Sequence, residues 1–123
     1  MIKSAVDELL AETNFDSQGL VPAIAQQHDT GEVLMVAWMN ADAIRESLGS
    51  GQVCYWSRSR GVLWKKGETS GQIQVLQELR IDCDGDTILL LVDQTGPACH
   101  TNRRSCFYRA VRDGTVEEIM QPE

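Results

Sequence analysis

The stretch TILLLV, residues 87–92, constrains the fold of this chain more than any other. It is continuously apolar and bounded by DCDGD on one side and DQTGP on the other. That is the pattern of a short strand buried on both faces, which needs a sheet around it. It is far shorter than the roughly 20 apolar residues that cross a bilayer, and no other run in the chain approaches that length.

The neighbouring segments supply such a sheet. IQVLQELRIDCD alternates for most of its length, which predicts a strand with Ile73, Val75, Leu79 and Ile81 on one face and Gln77 interrupting. VPAIAQQ and EVLMVAWM read as two strands joined around Asp29-Thr30-Gly31, a hairpin signal. QVCYWSRS and VLWKK are strand-like and separated by Arg60-Gly61; SCFYRAV reads as a last short strand, followed by the polar, peripheral tail DGTVEEIMQPE. Helical spacing appears over 4–12 (SAVDELLAE), with Ser4 as N-cap and Asp7 and Glu8 in the first turns. A second short helix, ADAIRESL, is expected after the cap Asn40 and is stopped by Gly49 and Gly51. There is no repeat, linker or composition break. The expectation is one α+β domain over 1–123, predominantly mixed or antiparallel sheet, barrel-like or folded, with one or two short helices. Too few helices separate the strands for a doubly wound fold. A chain of 123 residues is long enough to bury a core without disulfide staples.

The N-terminus, MIKSAVDELLAETNF, carries acids where a secretory signal carries its apolar segment, so a cytoplasmic location is expected. In that reducing compartment the 4 cysteines serve as ligands, nucleophiles or core filler. A net charge of −7 argues against nucleic-acid partners, whose phosphates require many basic groups. Of the 11 basic residues, Arg58, Arg60, Lys65 and Lys66 gather in one segment and Arg103, Arg104, Arg109 and Arg112 in another. Such clusters either hold a small anion locally or form two solvated edges.

Cys83, Cys99 and Cys106 fall at turn or strand-end positions beside polar residues, where thiolates suit zinc. A structural site closes with four protein ligands, whereas a catalytic one leaves a position open for water. Cys54, inside QVCYWS, reads as a small core hydrophobe. His100 follows Cys99 directly; adjacent residues of an extended segment point opposite ways, so a general base fits it better than a ligand. His28 beside the predicted turn reads as surface. Asp82, Asp84 and Asp86 repel one another unless an oxygen-seeking cation such as Mg2+ intervenes; the alternative is a plain acidic turn. They do not make a calcium loop, because Gly85 precedes the third aspartate. If this segment is extended, the aspartates face one side and Cys83 the other. Ser57, Arg58, Ser59 and Arg60, then Trp64, Lys66, Glu68 and Ser70, combine hydroxyls, cations and freed amides suited to phosphates, without a P-loop. Trp64 either stacks on a base or fills the core.

SRSRGVLWKKGETSG, DCDGDTILLLV and GPACHTNRRSCF, in this order, resemble the phosphoribosyl-AMP cyclohydrolases of histidine biosynthesis, over roughly residues 20–109. One departure is Asn102, where the family usually has glycine; asparagine tolerates positive φ well enough for the turn to survive. The length leaves no room for the pyrophosphohydrolase domain of some relatives, so the single-function form is expected. The resemblance implies hydrolytic opening of the adenine ring of phosphoribosyl-AMP between N1 and C6. It also implies zinc at Cys83, Cys99 and Cys106, the first from the partner subunit of a homodimer, and magnesium at Asp82, Asp84 and Asp86. His100 matches a histidine implicated in catalysis. The substrate's two phosphates are expected at the serines, arginines and Lys66 of the first basic cluster and at Arg103. Two readings compete: a non-catalytic zinc module bracing 96–107, and a redox pair of Cys99 and Cys106, which lacks CxxC spacing.

Overall fold

The computed structural model describes residues 4–123. Helix α1 (Ala5–Glu12) begins where expected, with the Ser4 hydroxyl accepting the Asp7 amide. Strands β1 (Val21–Gln27) and β2 (Val33–Met39) form the predicted hairpin, closed by the Gln27 amide donating to the Glu32 carbonyl. Helix α2 (Ala41–Ser50) is capped by the Asn40 side chain, which accepts the Ala43 amide. It runs through Gly49, the expected stop, and ends only at Gly51. Strands β3 (Cys54–Ser57), β4 (Val62–Lys65), β5 (Gln74–Ile81) and β6 (Ile88–Gln94) follow, then a separate hairpin of β7 (Arg109–Arg112) and β8 (Thr115–Glu118).

The six long-range strands make one curled sheet in the order β4-β3-β2-β1-β6-β5. Only β1 and β6 pair in parallel; the other pairs are antiparallel. The mixed sheet and two short helices match the expected α+β architecture. Both helices cover the same face, where Val21, Ala23, Ala25, Met35, Tyr55, Ile88, Leu90 and Val92 are buried with Ile44 of α2, and Leu9 and Leu10 of α1 pack against them.

This one-sided cover corrects the reading of TILLLV. Ile88, Leu90 and Val92 are buried, but Leu89 and Leu91 on the opposite face are only half-buried because no helix lies over them. The face assignment of β5 changes too. Its register against β6 shifts between Leu76 and Glu78, so Gln77 is an extra, bulged residue. Leu76, Leu79 and Ile81 therefore face the core, while Val75, opposite Asp93, turns outward.

The end of the chain also departs from expectation. The strand predicted across SCFYRAV starts only at Arg109. The tail supplies β8, through a turn in which both Asp113 (φ 52°) and Gly114 (φ 80°) are left-handed. That pair is the mark of a tight hairpin turn whose twist suits the flanking strands. Beyond β8 the tail is not merely peripheral, because it returns to the loop that carries Cys99 and Cys106.

Candidate active site

That loop leaves the end of β6 and folds back on itself. The Ala98 amide donates to the Arg104 carbonyl, the Cys99 amide to the Arg103 carbonyl and the Asn102 amide to the Cys99 carbonyl. Asn102 sits at the reversal with φ 68°, the left-handed conformation anticipated from the family's usual glycine. The loop is pinned to β2 by the Cys106 amide on the Leu34 carbonyl and by the Ser105 hydroxyl on the Val33 carbonyl.

Cys99 and Cys106 meet inside this frame. Cys99 is buried, Cys106 exposed, and neither is oxidised. Burial pushes the Cys99 thiol up, but hydrogen bonds from the Thr101 hydroxyl (3.0 Å) and Thr101 backbone, the Cys106 thiol and the Arg103 charge outweigh it and leave Cys99 below the usual thiol value. Cys106 moves the other way, to about 11, through burial and the charge and hydrogen bond of Cys99, with Lys66 opposing. Burial likewise pushes the ammonium of Lys66 down, against the attraction of both sulfurs. Ionisation of Cys99 thus disfavours that of Cys106, and the buried lysine beside them opposes this. A soft divalent cation fits that donor pair.

Cys106, His100, Lys66, Ser70 and Trp64 line one cavity of about 320 Å³, with Met35, Gln72 and Ala98 completing its wall. His100 is exposed there while Cys99 is buried, so the two neighbours do face different surroundings. Trp64 is shared with two further depressions. One, of about 800 Å³, is lined by Ser57, Arg58 and Ser59 with Trp38 and Trp56. The other, of about 220 Å³, is lined by Arg60, Lys65, Lys66, Glu68 and Ser70. Trp64 itself stacks obliquely on Tyr55, ring centroids 5.1 Å apart, so it serves core and cavity together. Arg103 lines none of these depressions. Its guanidinium bonds Glu118 and the Met120 carbonyl and lies 3.9 Å over the Tyr108 ring.

Asp82, Asp84 and Asp86 converge: their ligand oxygens lie within 4.8 Å of one another, the only such trio among the described residues. The segment is a turn rather than an extended strand, so the expected alternation of aspartates and Cys83 does not hold. Asp82 accepts the Asp86 amide and raises the Asp86 carboxyl by hydrogen bonding and repulsion. Two residues hold the turn: Asn14, which sequence reasoning missed, and Gly85, which lies within the acidic turn it offered as the alternative. Asn14 donates its amide to the Gly85 carbonyl and its side chain to the Asp84 carbonyl. Gly85 has φ 72°, and a Cβ there would lie 2.5 Å from the Glu12 carbonyl oxygen. Only glycine allows the end of α1 to approach this closely. Cys83 is exposed on the same turn, at the opposite end of β6 from Cys99, and does not join Cys99 and Cys106 within one chain.

A buried polar chain backs the thiol loop. The Tyr55 hydroxyl donates to Gln74 (2.6 Å), the Gln74 amide to Gln94 (2.8 Å), and the Gln94 backbone amide to Gln27. The sequence signal was present: three glutamines, at 27, 74 and 94, stand at core-facing positions of strands.

Comparison with known proteins identifies the family. A family model described as phosphoribosyl-AMP cyclohydrolase matches residues 35–108, more than half of the chain. The phosphoribosyl-AMP cyclohydrolase of Rhodospirillum centenum is 67% identical over 123 residues, covering 100% of this chain and 92% of the relative. That of Granulibacter bethesdensis is 70% identical over 109 residues, covering 88% of this chain and 85% of its own. That of Paracoccus denitrificans is 65% identical over 113 residues, covering 92% and 93%. Similarity at this level across nearly the full length of each chain places this protein in the phosphoribosyl-AMP cyclohydrolase family.

Proposed function

We propose that this chain hydrolyses the N1–C6 bond of the adenine ring of 1-(5-phosphoribosyl)-AMP in histidine biosynthesis, in the cytoplasm, as a homodimer with zinc and magnesium. The observation that carries the reading is the single cavity lined by Cys106, His100, Lys66 and Trp64, with the Cys99 thiol behind it. Cys99 and Cys106 would hold zinc, with Cys83 of a second copy as third ligand. When bound, the ion makes a water acidic enough to attack near neutral pH. Three thiolates leave that water less acidic than three imidazoles would, so a nearby base is needed.

His100 is that base. It takes the proton as oxygen bonds to C6, and the N1–C6 bond then breaks with the proton delivered to N1. The remaining hydroxyl proton passes to the exocyclic imino nitrogen, and C6 becomes a carboxamide. Trp64 offers an aromatic face to the purine. The phosphates go to Ser57, Arg58, Ser59 and Arg60 on one side and to Lys66 and Ser70 on the other, with Glu68 on the rim. The trio Asp82, Asp84 and Asp86 suits a hard cation such as Mg2+, which relieves their mutual repulsion and is well matched to a phosphate-bearing substrate.

A purely structural metal would require a fourth protein ligand. No third Cys, His, Asp or Glu ligand atom joins Cys99 and Cys106 among the described residues of one chain, which favours an open site. The test is ring opening of phosphoribosyl-AMP before and after zinc chelation. Activity lost with the fold retained, and restored by zinc, supports the enzyme. Unfolding on chelation with no ring opening at any zinc concentration would leave the structural reading.

A further inference from the structure

The two arginines of the thiol loop, Arg103 and Arg104, sit beside the candidate site of an enzyme whose substrate carries two phosphates. Charge alone would make them phosphate ligands. Their hydrogen bonds place them differently. Though consecutive in the loop, these two reach different supports.

Arg103 is nearly buried and turns toward the tail. Its Nε donates to the Met120 carbonyl (2.9 Å), its Nη2 to the Glu118 carboxylate (3.0 Å), and its plane stacks on Tyr108. Arg104 turns toward the ends of the strands. Its Nη1 donates to the Gln94 carbonyl (2.9 Å) and the Gly96 carbonyl (2.8 Å), and its Nη2 to the Gln27 side chain (2.9 Å). Its Nε faces Glu32 at 3.6 Å. Gln27 in turn receives the Gln94 amide, so Arg104 closes the end of the buried chain from Tyr55 through Gln74 and Gln94. Arg103 commits its Nε and Nη2, and Arg104 both terminal nitrogens, to groups within the protein, on either side of the segment that carries Cys99, His100 and Cys106.

We propose that Arg103 and Arg104 are positioning residues that brace this loop from its two sides and set the separation of the two thiols and His100, rather than ligands of substrate phosphate. The inference rests on the reading of that loop as the active site. It also explains why an arginine is needed at 104. A fork can bond two carbonyls and an amide oxygen at once, whereas a lysine ammonium acts from a single point.

The test compares the wild-type protein with Arg104→Lys, Arg103→Lys and Glu118→Gln. Each arginine variant keeps its positive charge, so a phosphate-binding role would be largely preserved while a bracing role would be lost. In both, kcat for ring opening should fall about tenfold or more with KM within about twofold, the split expected when geometry rather than substrate binding is lost. Amide hydrogen exchange at Cys99, Asn102 and Cys106 should speed up about tenfold while Leu90 and Val92 keep their protection, a local rather than global opening. Glu118→Gln leaves Arg103 and the cavity intact and should give the same loop signature, more weakly. Kinetics and loop exchange close to wild type in both lysine variants, or a raised KM with kcat and loop exchange unchanged, would overturn the proposal and restore the arginines as phosphate ligands. The exchange measurement does not depend on turnover. If the wild-type protein opened no ring, the functional reading would fail, and exchange alone would decide the brace.

Discussion

Cys99 and His100 are adjacent in sequence and opposite in environment. The thiol is buried against Thr101 and Cys106, and the imidazole stands in the cavity beside Lys66 and Trp64. Under the proposed function, this division gives metal binding to one residue and proton transfer to the next. His100→Ala should therefore lower kcat by about 10²–10⁴-fold, the usual worth of a positioned acid–base group, with zinc content unchanged. Turnover close to wild type at full zinc occupancy would remove His100 from proton transfer. At this scale the sequence was informative wherever chemistry constrains residue type: thiols, a histidine and three carboxylates. The left-handed turn at Asn102 was legible for the same reason. The direction of Arg103 and Arg104 was not, because Glu118, Met120, Gln27 and Gln94 are brought to them only by the fold.

The strands of the six-stranded sheet lay where the sequence pattern put them, whereas the last strand began late and the tail supplied one that was not expected; which residues faced inward depended on pairing. Gln77 looked like an interruption on one face; paired against β6 it is a bulge that sends Val75 outward and Leu76 inward. The acidic turn was one of two readings of the sequence; what holds it, the Asn14 bonds and the close approach at Gly85, comes from the end of α1 and the segment that follows. The glutamines of β5 and β6 gain meaning only together, as a hydrogen-bonded line running from the core to the thiol loop. Tyr55→Phe tests that line. It removes the donor to the fully buried Gln74 oxygen, and leaving such an acceptor without a partner costs about 1–3 kcal/mol. Urea denaturation should show that loss, and the effect should diminish in a Gln74→Leu background, where no acceptor remains to be stranded. Equal losses in both backgrounds would mean the hydroxyl acts through packing instead.

At the scale of the whole molecule, the two candidate metal sites lie at opposite ends of β6. Seven residues of strand, about 20 Å at 3.3 Å per residue, separate the turn of Cys83 from the thiol loop. One chain thus presents two thiols at one end and the missing third at the other, which a second copy in an opposed orientation can reconcile. The uncovered sheet face is partly apolar. Val36 and Leu63 are exposed there, and Ile24, Trp38, Leu89 and Leu91 are only half-buried. A two-fold dimer completing both sites makes a quantitative prediction for mixtures of Cys83→Ala and Cys106→Ala chains. Each parent dimer lacks a ligand at both sites. A mixed dimer has one site missing both cysteines and one with all three intact, the first thiol coming from the Cys106→Ala chain and the other two from the Cys83→Ala chain. Random reassociation of equal amounts makes about half the dimers mixed, so activity should recover to about one quarter of wild type. Zinc content should rise in the same proportion. A mixture as inactive as its parents, with mixed dimers verified by mass, would place all three ligands within one chain and require the Cys83 turn to move toward the thiol loop.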